Sequence, residues 1–435
     1  MNSKKIELLS PAGDSERLRF AVLYGADAVY VGTSQFSMRS TPPNFDRESL
    51  AADVEFAHKN GVKVYLTCNT LPRNSEVTEF AEYIDYAADI GIDALIISDL
   101  GLLSIAKKQL PDMEIHMSTQ TGIVNYQTAA TLYDMGVSRV VLARELSLDE
   151  ISEIRAKTPA GLELECFVHG SMCVSYSGRC LLSEYLTGRD ANRGVCAQSC
   201  RWKYTLMEEK RPGQYFPIEN DEKGSYILNA NDLNMLPYLD KLFSAGVTSF
   251  KIEGRAKSLY YVSIVTNAYK SAINLLETSN YFPNSQIIND LNKELDKVSH
   301  RPYGTGFYFT TPNQYLEDGG YIREYDIAAV VIEHKDGMLY CEQRNKIFPN
   351  TDAEIVIPNA YRYTNSIFIP IKIGDLYDEN GMSIPDTKHA KMVFSFKYIE
   401  GNEIDKNIEK TEFQQKTIGT NLIPRGSIIR CLGLK

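Results

Sequence analysis

A short phrase that recurs six times along the chain constrains its fold more than any other feature. In each copy a glycine is followed, within one to three residues, by an apolar run rich in valine and isoleucine. Most of these glycines end a helix-length segment, where a left-handed C-terminal cap is needed. The apolar runs alternate little, which is typical of strands buried on both faces of a parallel sheet. The glycines are Gly25, Gly61, Gly91, Gly136, Gly161 and Gly246.

Two further apolar runs, at residues 6–10 and 114–118, raise the number of predicted parallel strands to eight. Most of them are followed by a segment of helical length. Eight alternating strands and helices predict an α/β fold of the TIM type, a (β/α)8 barrel that closes near residues 269–276. A doubly wound open sheet is the alternative architecture, but no GxGxxG motif follows the first strand.

A change of composition after the barrel predicts a second domain. The chain has 435 residues, and single cores stop growing at roughly 250 to 300 residues. From residue 325 onward short β-type runs dominate, with a hairpin turn at 335–337. We therefore expect a barrel over residues 1–276 with a cysteine-rich insertion at 170–225, a helix and linker over 277–322, and a small all-β barrel over 323–435.

The net charge and the N-terminus narrow the class of protein. A net charge of -10 argues against indiscriminate nucleic-acid binding, although it leaves room for a local basic patch. The sequence contains no run with the length of a signal peptide or of a membrane span. We expect a cytoplasmic protein without a membrane partner. In that reducing compartment clustered cysteines bind metal or act in redox chemistry more often than they form disulfides.

Polar residues follow the predicted strands at the end where the loops of a barrel converge on a catalytic mouth. As a ring they predict a polar pocket, and they favour an enzyme over a scaffold. They are Asn69, Ser98, Asp99, Gln120, Arg144, Glu145, His169, Lys251, Glu253 and Arg255.

Five of the eight cysteines fall within residues 166–200. Cys166 lies inside a predicted strand, where a small buried thiol is expected. The other four follow the strand with the spacing C-x6-C-x15-C-x3-C, in the loop at the predicted mouth. Four thiolates suit an iron–sulfur cluster or a tetrahedral zinc ion, and the lack of C-x2-C knuckles favours the cluster. The candidate ligands are Cys173, Cys180, Cys196 and Cys200.

The same loop is locally basic and aromatic. Residues 179–211 carry seven cationic side chains against four acidic ones, together with Tyr185, Trp202 and Tyr204. Arginines interleaved with aromatic rings grip phosphates and stack on splayed bases, which makes RNA a candidate substrate. The candidate RNA-binding residues are Arg189, Arg193, Arg201 and Lys203.

Several motifs resemble the collagenase-like peptidase family of unknown catalytic type. The signature is ECFVHGSMC at 165–173, followed by GRC at 178–180. Further support comes from ELLSPAG at 7–13, YGADAVYVG at 24–32, LTGRDANRGVCAQSCRWKY at 186–204 and KIEGRAKSLYYV at 251–262. The resemblance continues into the second domain through HRPYGTGFYF at 300–309 and EQRNKIF at 342–348.

The resemblance implies a function as well as a family. The better understood branches look like oxygen-independent hydroxylation proteins that use an iron–sulfur cluster. The long GRDANRGVCAQSCRWKY form and the appended β-domain are most similar to the branch that forms 5-hydroxyuridine at the tRNA wobble position, with prephenate as a requirement. It implies a 4Fe-4S cluster on the four cysteines of the loop and a tRNA partner, and leaves room for a paralogous partner protein. Arg144, Glu253 and Arg255 would hold the substrate or co-substrate.

Two other functions stay open. The chain has neither an HExxH nor a GxSxG motif, but a Cys173 nucleophile paired with His169 would make it a peptidase. That pairing leaves three neighbouring cysteines unexplained. The second alternative is a non-catalytic, RNA-binding iron–sulfur partner protein.

Overall fold

Eight parallel strands close into a barrel in the computed structural model of the protein. The structure describes residues 5–38, 44–173, 180–202, 206–207, 215–216, 220–221, 224–225, 231–278, 285–310, 321–361, 368–400 and 423–433. The barrel strands are β1 (Glu7–Pro11), β2 (Ala28–Val31), β3 (Lys63–Cys68), β4 (Ala94–Ile97), β5 (Glu114–Met117), β6 (Arg139–Val141), β7 (Glu163–Ser171) and β8 (Ser249–Ile252). Neighbouring strands pair in chain order, and β8 pairs with both β7 and β1, which closes the sheet. The predicted (β/α)8 barrel is confirmed.

Helices surround the barrel and begin at side chains that cap their first turns. Asp14, Asp46, Asp99, Asn125 and Ser147 each accept a hydrogen bond from a backbone N–H near the start of a helix. Five of the six repeat glycines have a positive φ, as the repeat predicts. The helices are α1 (Ser15–Leu23), α2 (Arg47–Lys59), α3 (Asn74–Asp89), α4 (Leu100–Gln109), α5 (Tyr126–Asp134), α6 (Leu148–Lys157), α7 (Leu182–Thr187), α8 (Leu239–Ser244), α9 (Leu259–Glu277) and α10 (Gln286–Asp296).

The segment between β7 and α8 carries the cysteines and lies outside the regular barrel repeat. It contains α7 and the 3-10 turns Ala191–Arg193 and Ser199–Arg201. A strand that the sequence analysis did not predict, Asp232–Asn234, pairs antiparallel with the end of β7 and parallel with Tyr303–Gly304. Two antiparallel pairs of two-residue strands join Leu206–Met207 to Tyr215–Phe216 and Asn220–Asp221 to Gly224–Ser225.

The C-terminal part of the chain forms a second, antiparallel barrel, as its short β-type runs predict. Its strands are β9 (Tyr325–Lys335), β10 (Met338–Gln343), β11 (Asp352–Val356), β12 (Phe368–Asp378), β13 (Ser383–Ile384), β14 (Val393–Glu400) and β15 (Ile428–Leu432). They follow the order β11, β15, β9, β10, β14, β12, β13, and β11 also pairs with β12 to close the sheet. The predicted hairpin turn joins β9 to β10, with positive φ at Asp336 and Gly337.

A buried ionic cluster joins the two domains. Arg430 of β15 is fully buried, and its guanidinium donates to Glu294 of α10 (2.9 Å) and to Glu354 of β11 (2.6 Å). Lys297 also donates to Glu354 (2.9 Å). Directly after α1, the hydroxyl of Tyr24 donates to the carbonyl oxygen of Val356 (3.2 Å). Across the described ranges, no helix combines the length and apolarity needed to cross a bilayer.

Candidate functional site

A cavity of about 780 Å³ opens at the carboxyl ends of the barrel strands. Its volume lies within the range of small-molecule sites, roughly 300 to 1,000 Å³. Its wall includes the loops after the barrel strands, the cysteine-bearing segment, and residues 321–327, where the linker meets the second domain. The ring residues Asn69, Gln120, Arg144, Glu145, Lys251, Glu253 and Arg255 line it.

Three members of the predicted polar ring lie away from the cavity lining. Asp99 caps α4 by accepting from the backbone N–H of Leu102 (3.0 Å). The hydroxyl of Ser98 donates a hydrogen bond to the carbonyl oxygen of Asn69 (3.1 Å), which fixes the loop after β3. His169 is buried behind the wall.

Arg144 is held rigidly at the mouth. Its Nη2 donates to Oε2 of Glu253 (3.0 Å), and its Nη1 donates to the carbonyl oxygen of Ser171 (2.6 Å). The guanidinium carbon lies 3.8 Å from the ring centroid of Phe167, so the flat face of the cation rests on an aromatic ring. Gly170 has φ +108°, and a Cβ there would overlap the carbonyl oxygen of Glu253. A glycine at this position therefore lets the end of β7 approach the loop after β8.

Arg255 follows β8 and contacts β3 and the loop after β2. Its Nη1 donates to the hydroxyls of Ser37 and Thr67, and its Nη2 donates to Oδ1 of Asn44 (3.0 Å). The residue is buried in the wall. A Cβ at Gly32 would overlap Nη1 of Arg255, so the last glycine of the YGADAVYVG motif leaves room for this side chain.

Lys251 lies at the base of the cavity and is paired with a carboxylate inside the barrel. Its Nζ donates to Oε1 of Glu165 (2.7 Å). Burial opposes ionisation of Glu165, but Lys251 and Arg139 outweigh it and lower the pKa of this carboxyl to about 2. The carboxyl of Glu165 is therefore ionised, and its hydrogen bond fixes the position of the Lys251 side chain.

Cationic side chains outnumber carboxylates around the cavity, although the chain as a whole is acidic. This local excess suits a substrate that carries negative charge. Five cations stand against three carboxylates: Arg144, Lys251, Arg255, Lys257 and Arg323 against Glu145, Glu253 and Asp326.

Tyr321 enters the cavity wall from the linker between the domains, and the sequence analysis missed it. Arg301 donates from Nη1 to its hydroxyl (3.3 Å), and the Nζ of Lys257 lies 4.0 Å from its ring centroid. Burial alone would raise the pKa of Tyr321. The positive charges of Lys257 and Arg301, together with a hydrogen bond with Ser171, outweigh burial and lower the pKa to about 8. The residue stands in a Gly-, Pro- and Tyr-rich connection, where no sequence signal marks it as part of a site.

His169 is a neutral, buried imidazole. Burial lowers its pKa to about 3, and the nearby Lys257 and His300 act in the same direction. Its Nδ1 lies 3.3 Å from the hydroxyl of Tyr269, and its Nε2 has no hydrogen-bond partner among the described residues. An imidazole with this pKa is a weak base for activating a thiol at neutral pH.

Cys173, Cys180, Cys196 and Cys200 all line the cavity. Cys173 is exposed and the other three are half-buried. The backbone N–H of Gln198 donates to Sγ of Cys196 (3.3 Å). Within the described ranges, no three His, Cys, Asp or Glu side chains come close enough to hold one metal ion. Residues 174–179, which connect Cys173 to Cys180, lie outside those ranges.

The remaining cysteines are structural thiols. None of the eight cysteines, all of which the structure describes, takes part in a disulfide. Cys166 is buried in β7, and burial raises its pKa to about 12, which confirms the expectation of a buried thiol. Burial likewise raises the pKa of Cys68 and Cys341. These thiols stay protonated, unlike a metal ligand.

The cysteine segment is fixed by its own hydrogen bonds and by one ion pair with the barrel. The Nδ2 of Asn192 donates to the carbonyl oxygen of Cys180 (2.7 Å), and the backbone N–H of Ala197 donates to the hydroxyl of Ser183 (2.9 Å). Arg193 pairs with both carboxylate oxygens of Glu76 on α3, each at 2.9 Å.

The predicted RNA-binding residues therefore have different surroundings. Arg193 is engaged with Glu76, while Arg189 is exposed and its Nε donates to the carbonyl oxygen of Val195 (3.0 Å). The side chain of Arg201 and the whole of Lys203 lie outside the described residues. The RNA-binding roles of all four stay predictions.

A closed (β/α)8 barrel with a polar, cation-rich mouth and a cysteine-bearing cover has the architecture of an enzyme. The family profile described as Peptidase family U32 matches residues 13–318, and the profile described as Peptidase family U32 C-terminal domain matches residues 323–408. The chain belongs to peptidase family U32.

Three relatives with different names are similar to this chain. The tRNA hydroxylation protein P1 of Bacillus subtilis (strain 168) is 33% identical over 421 residues, which cover 95% of each chain. The 23S rRNA 5-hydroxycytidine C2501 synthase of Escherichia coli (strain K12) is 40% identical over 276 residues, 63% of this chain and 40% of its own length. A Porphyromonas gingivalis protein named Collagenase is 36% identical over 318 residues, 71% of this chain and 74% of its own length.

Proposed function

We propose that the chain is an iron–sulfur-dependent, oxygen-independent tRNA hydroxylation protein that forms 5-hydroxyuridine at the wobble position. The observation that carries the proposal is that four cysteines line one cation-rich cavity at the barrel mouth. The similarity over 95% of both chains to a relative named for tRNA hydroxylation supports the choice of tRNA. The relative named for ribosomal RNA matches over only 40% of its own length.

The cysteines fit a cluster by their chemistry. Cys173, Cys180, Cys196 and Cys200 would hold it, because soft thiolates are the ligands that iron–sulfur clusters take. The N–H of Gln198 donates to Sγ of Cys196, and hydrogen bonds to the ligand sulfur atoms are one of the features that set the reduction potential of such clusters. When bound, the cluster supplies electron transfer at the cavity. Zinc is the alternative occupant of the same four thiolates.

Arg144, Glu253 and Arg255 would bind and orient the substrate or co-substrate. The guanidinium of Arg144 is already fixed by Glu253, Ser171 and Phe167, so little freedom is lost when it binds an anion. A carboxylate-bearing co-substrate such as prephenate suits the excess of cations in the lining. Lys251 contributes a further fixed charge at the base.

The size of the cavity sets the form in which RNA would enter. A volume of about 780 Å³ accommodates a nucleotide but not a helix. The target uridine must therefore leave its stack or come from a single-stranded loop, as in other enzymes that modify bases. A wobble uridine lies in such a loop, which agrees with the proposed substrate.

A peptidase is the second candidate, because one relative is named Collagenase. In this alternative Cys173 is the nucleophile and His169 its base. The pKa of about 3 weakens that role for His169, which is also absent from the cavity lining. A gelatin assay on Cys173→Ala tests it: hydrolysis that persists unchanged means that Cys173 is no nucleophile.

Metal analysis after anaerobic purification tests the cofactor. We expect iron and sulfide in the wild-type protein and their loss when any one of the four cavity cysteines is replaced by alanine. Cys166→Ala is the matched control, because this thiol lies in the same region but is buried in β7. Stoichiometric zinc without iron would remove the redox mechanism.

Nucleoside analysis of tRNA tests the reaction. A strain that lacks the gene should lose 5-hydroxyuridine, and the wild-type gene should restore it where Cys173→Ala does not. Unchanged 5-hydroxyuridine in the deletion strain would refute the proposed function. Loss of a hydroxylated ribosomal nucleoside instead would move the protein to the ribosomal RNA branch.

A further inference from the structure

We propose that the outer face of the cysteine segment is a stacking platform for single-stranded RNA, formed by the rings of Tyr185 and Trp202. This inference rests on the proposed function and deepens it, since it names the surface that would hold the bases next to the target uridine. The rings would lie outside the cavity, while the target nucleotide enters it.

Several large apolar side chains of this segment are exposed to solvent. Tyr185 is 89% exposed and Trp202 is 46% exposed. Leu181, one helical turn before Tyr185, is 68% exposed, and the N–H of Tyr185 donates to its carbonyl oxygen (2.9 Å). Large apolar side chains exposed together mark an interaction site more often than singly scattered ones do.

The platform lies next to the cavity. Helix α7, which carries Tyr185, packs against the 3-10 turn Ser199–Arg201, which Trp202 ends. The inner side of the same segment lines the cavity through Leu182, Ser183 and the cysteines, whereas Tyr185 and Trp202 are not part of the lining. One short segment thus presents sulfur atoms to the cavity and aromatic rings to the outside.

The chemistry of this face favours nucleic acid over an apolar protein partner. The same segment also exposes the polar residues Glu184, Arg189 and Gln198, so its exposed surface is mixed rather than continuously apolar. Arg189 places a cation at the end of α7, where it complements a phosphate. Any base can stack on an aromatic ring. Stacking therefore adds affinity for RNA in a protein whose net charge of -10 does not attract phosphates.

The single tryptophan gives a direct test. Trp202 is the only tryptophan in the chain, so its fluorescence reports on this position alone. Titration with an anticodon stem-loop RNA that carries a wobble uridine should quench the emission and saturate. Tyr185→Ala should weaken binding about tenfold, as expected for the loss of one stacked base. Tyr185→Phe keeps the ring and should bind as the wild type does.

Phe348→Ala is the matched control, because Phe348 is also an exposed aromatic residue but lies in the second domain. It should leave both quenching and affinity unchanged. RNA binding without quenching, and with equal affinity for Tyr185→Ala, would overturn the platform while leaving the proposed function intact. A change in oligomeric state on Tyr185→Ala with unchanged RNA affinity would assign the face to a protein interface and also overturn it.

The two proposals fail in distinguishable ways. Saturable quenching that depends on the ring at position 185 supports the platform even if tRNA from the deletion strain keeps its 5-hydroxyuridine. In that case the protein binds RNA and the proposed reaction is wrong.

Discussion

Replacing Arg193 with alanine is expected to loosen the cysteine segment rather than to remove a phosphate contact. Arg193 donates from both terminal nitrogens to the carboxylate of Glu76 on α3, and from Nη1 to the carbonyl oxygen of Leu71 (3.0 Å). These bonds connect the cysteine segment to a part of the barrel that is distant in sequence. If the pair is a clamp, then Glu76→Ala should have the same effect as Arg193→Ala.

The size of the effect follows from the geometry and exposure of the pair. The two hydrogen bonds from Arg193 to Glu76 are bidentate and each measures 2.9 Å. The side chains of Arg193 and Glu76 are 30% and 33% exposed. Exposed pairs contribute about 0.2 to 1 kcal/mol, and two-pronged charged bonds lie at the upper end. We therefore expect a coupling energy of about 1 kcal/mol, which corresponds to about fivefold more frequent opening of the segment.

Hydrogen exchange of the backbone amides in residues 180–202 measures this opening. Arg193→Ala and Glu76→Ala should each raise the exchange rates about fivefold, and the double variant should add little because the interaction is already lost. Acid should act in the same direction. The hydrogen bonds from Arg193 hold the pKa of Glu76 below its ordinary value, so the contribution of the pair is complete above that value and is lost as the pH falls through the lowered pKa.

RNA affinity separates the clamp from the alternative role. If Arg193 bound a phosphate instead, Glu76→Ala would release the guanidinium and strengthen RNA binding, while Arg193→Ala would weaken it. Opposite effects of the two variants on RNA affinity, with unchanged hydrogen exchange, would refute the clamp.

Lys251→Met should lower the free energy of unfolding, measured by urea denaturation, by about 3 kcal/mol. The reason is that it leaves the fully buried Glu165 paired with Arg139 alone among these two cations. Lys157→Ala, which breaks an exposed pair with Glu153, should leave this free energy nearly unchanged, and an equal loss in both variants would contradict the argument. Gly32→Ala should abolish the proposed formation of 5-hydroxyuridine in tRNA by displacing Arg255, whereas Gly304→Ala, where the added Cβ meets no atom closer than 3.4 Å, should keep it. Tyr321→Phe should remove one tyrosine ionisation near pH 8 from the ultraviolet titration, and in the wild type this group should stabilise the fold increasingly as the pH rises from 8 towards its ordinary value of 10. An unchanged titration would mean that Lys257 and Arg301 do not act on this phenol.

The barrel was predictable from sequence because its signal is local and repeated. Six glycines followed by apolar runs mark buried strands, two further apolar runs raise the number to eight, and eight parallel strands leave few ways to close a sheet. The second domain was predictable for the same reason, since its short alternating runs and the turn at 335–337 are local features. The strand Asp232–Asn234 was missed because three residues are too few to carry a period.

The candidate site was predictable only where residues follow strands directly. Arg144, Lys251, Glu253 and Arg255 stand at strand ends, so topology alone places them at the mouth. Tyr321 could not be found in this way, because its position depends on how the linker crosses the barrel. The partner of Arg193 could not be predicted either, since the contact with Glu76 depends on how the insertion folds back over α3.

The buried Arg430 has a consequence for attempts to dissect the protein. A fragment cut before β9 would lose Arg430 and leave Glu294, which is 2% exposed in the intact chain, facing water with Lys297 as its remaining cation. The same cut would remove Tyr325, Asp326 and Ile327 from the cavity. An isolated barrel could therefore be inactive because part of its cavity wall is missing. The activity should be assayed in the intact chain, which contains both domains.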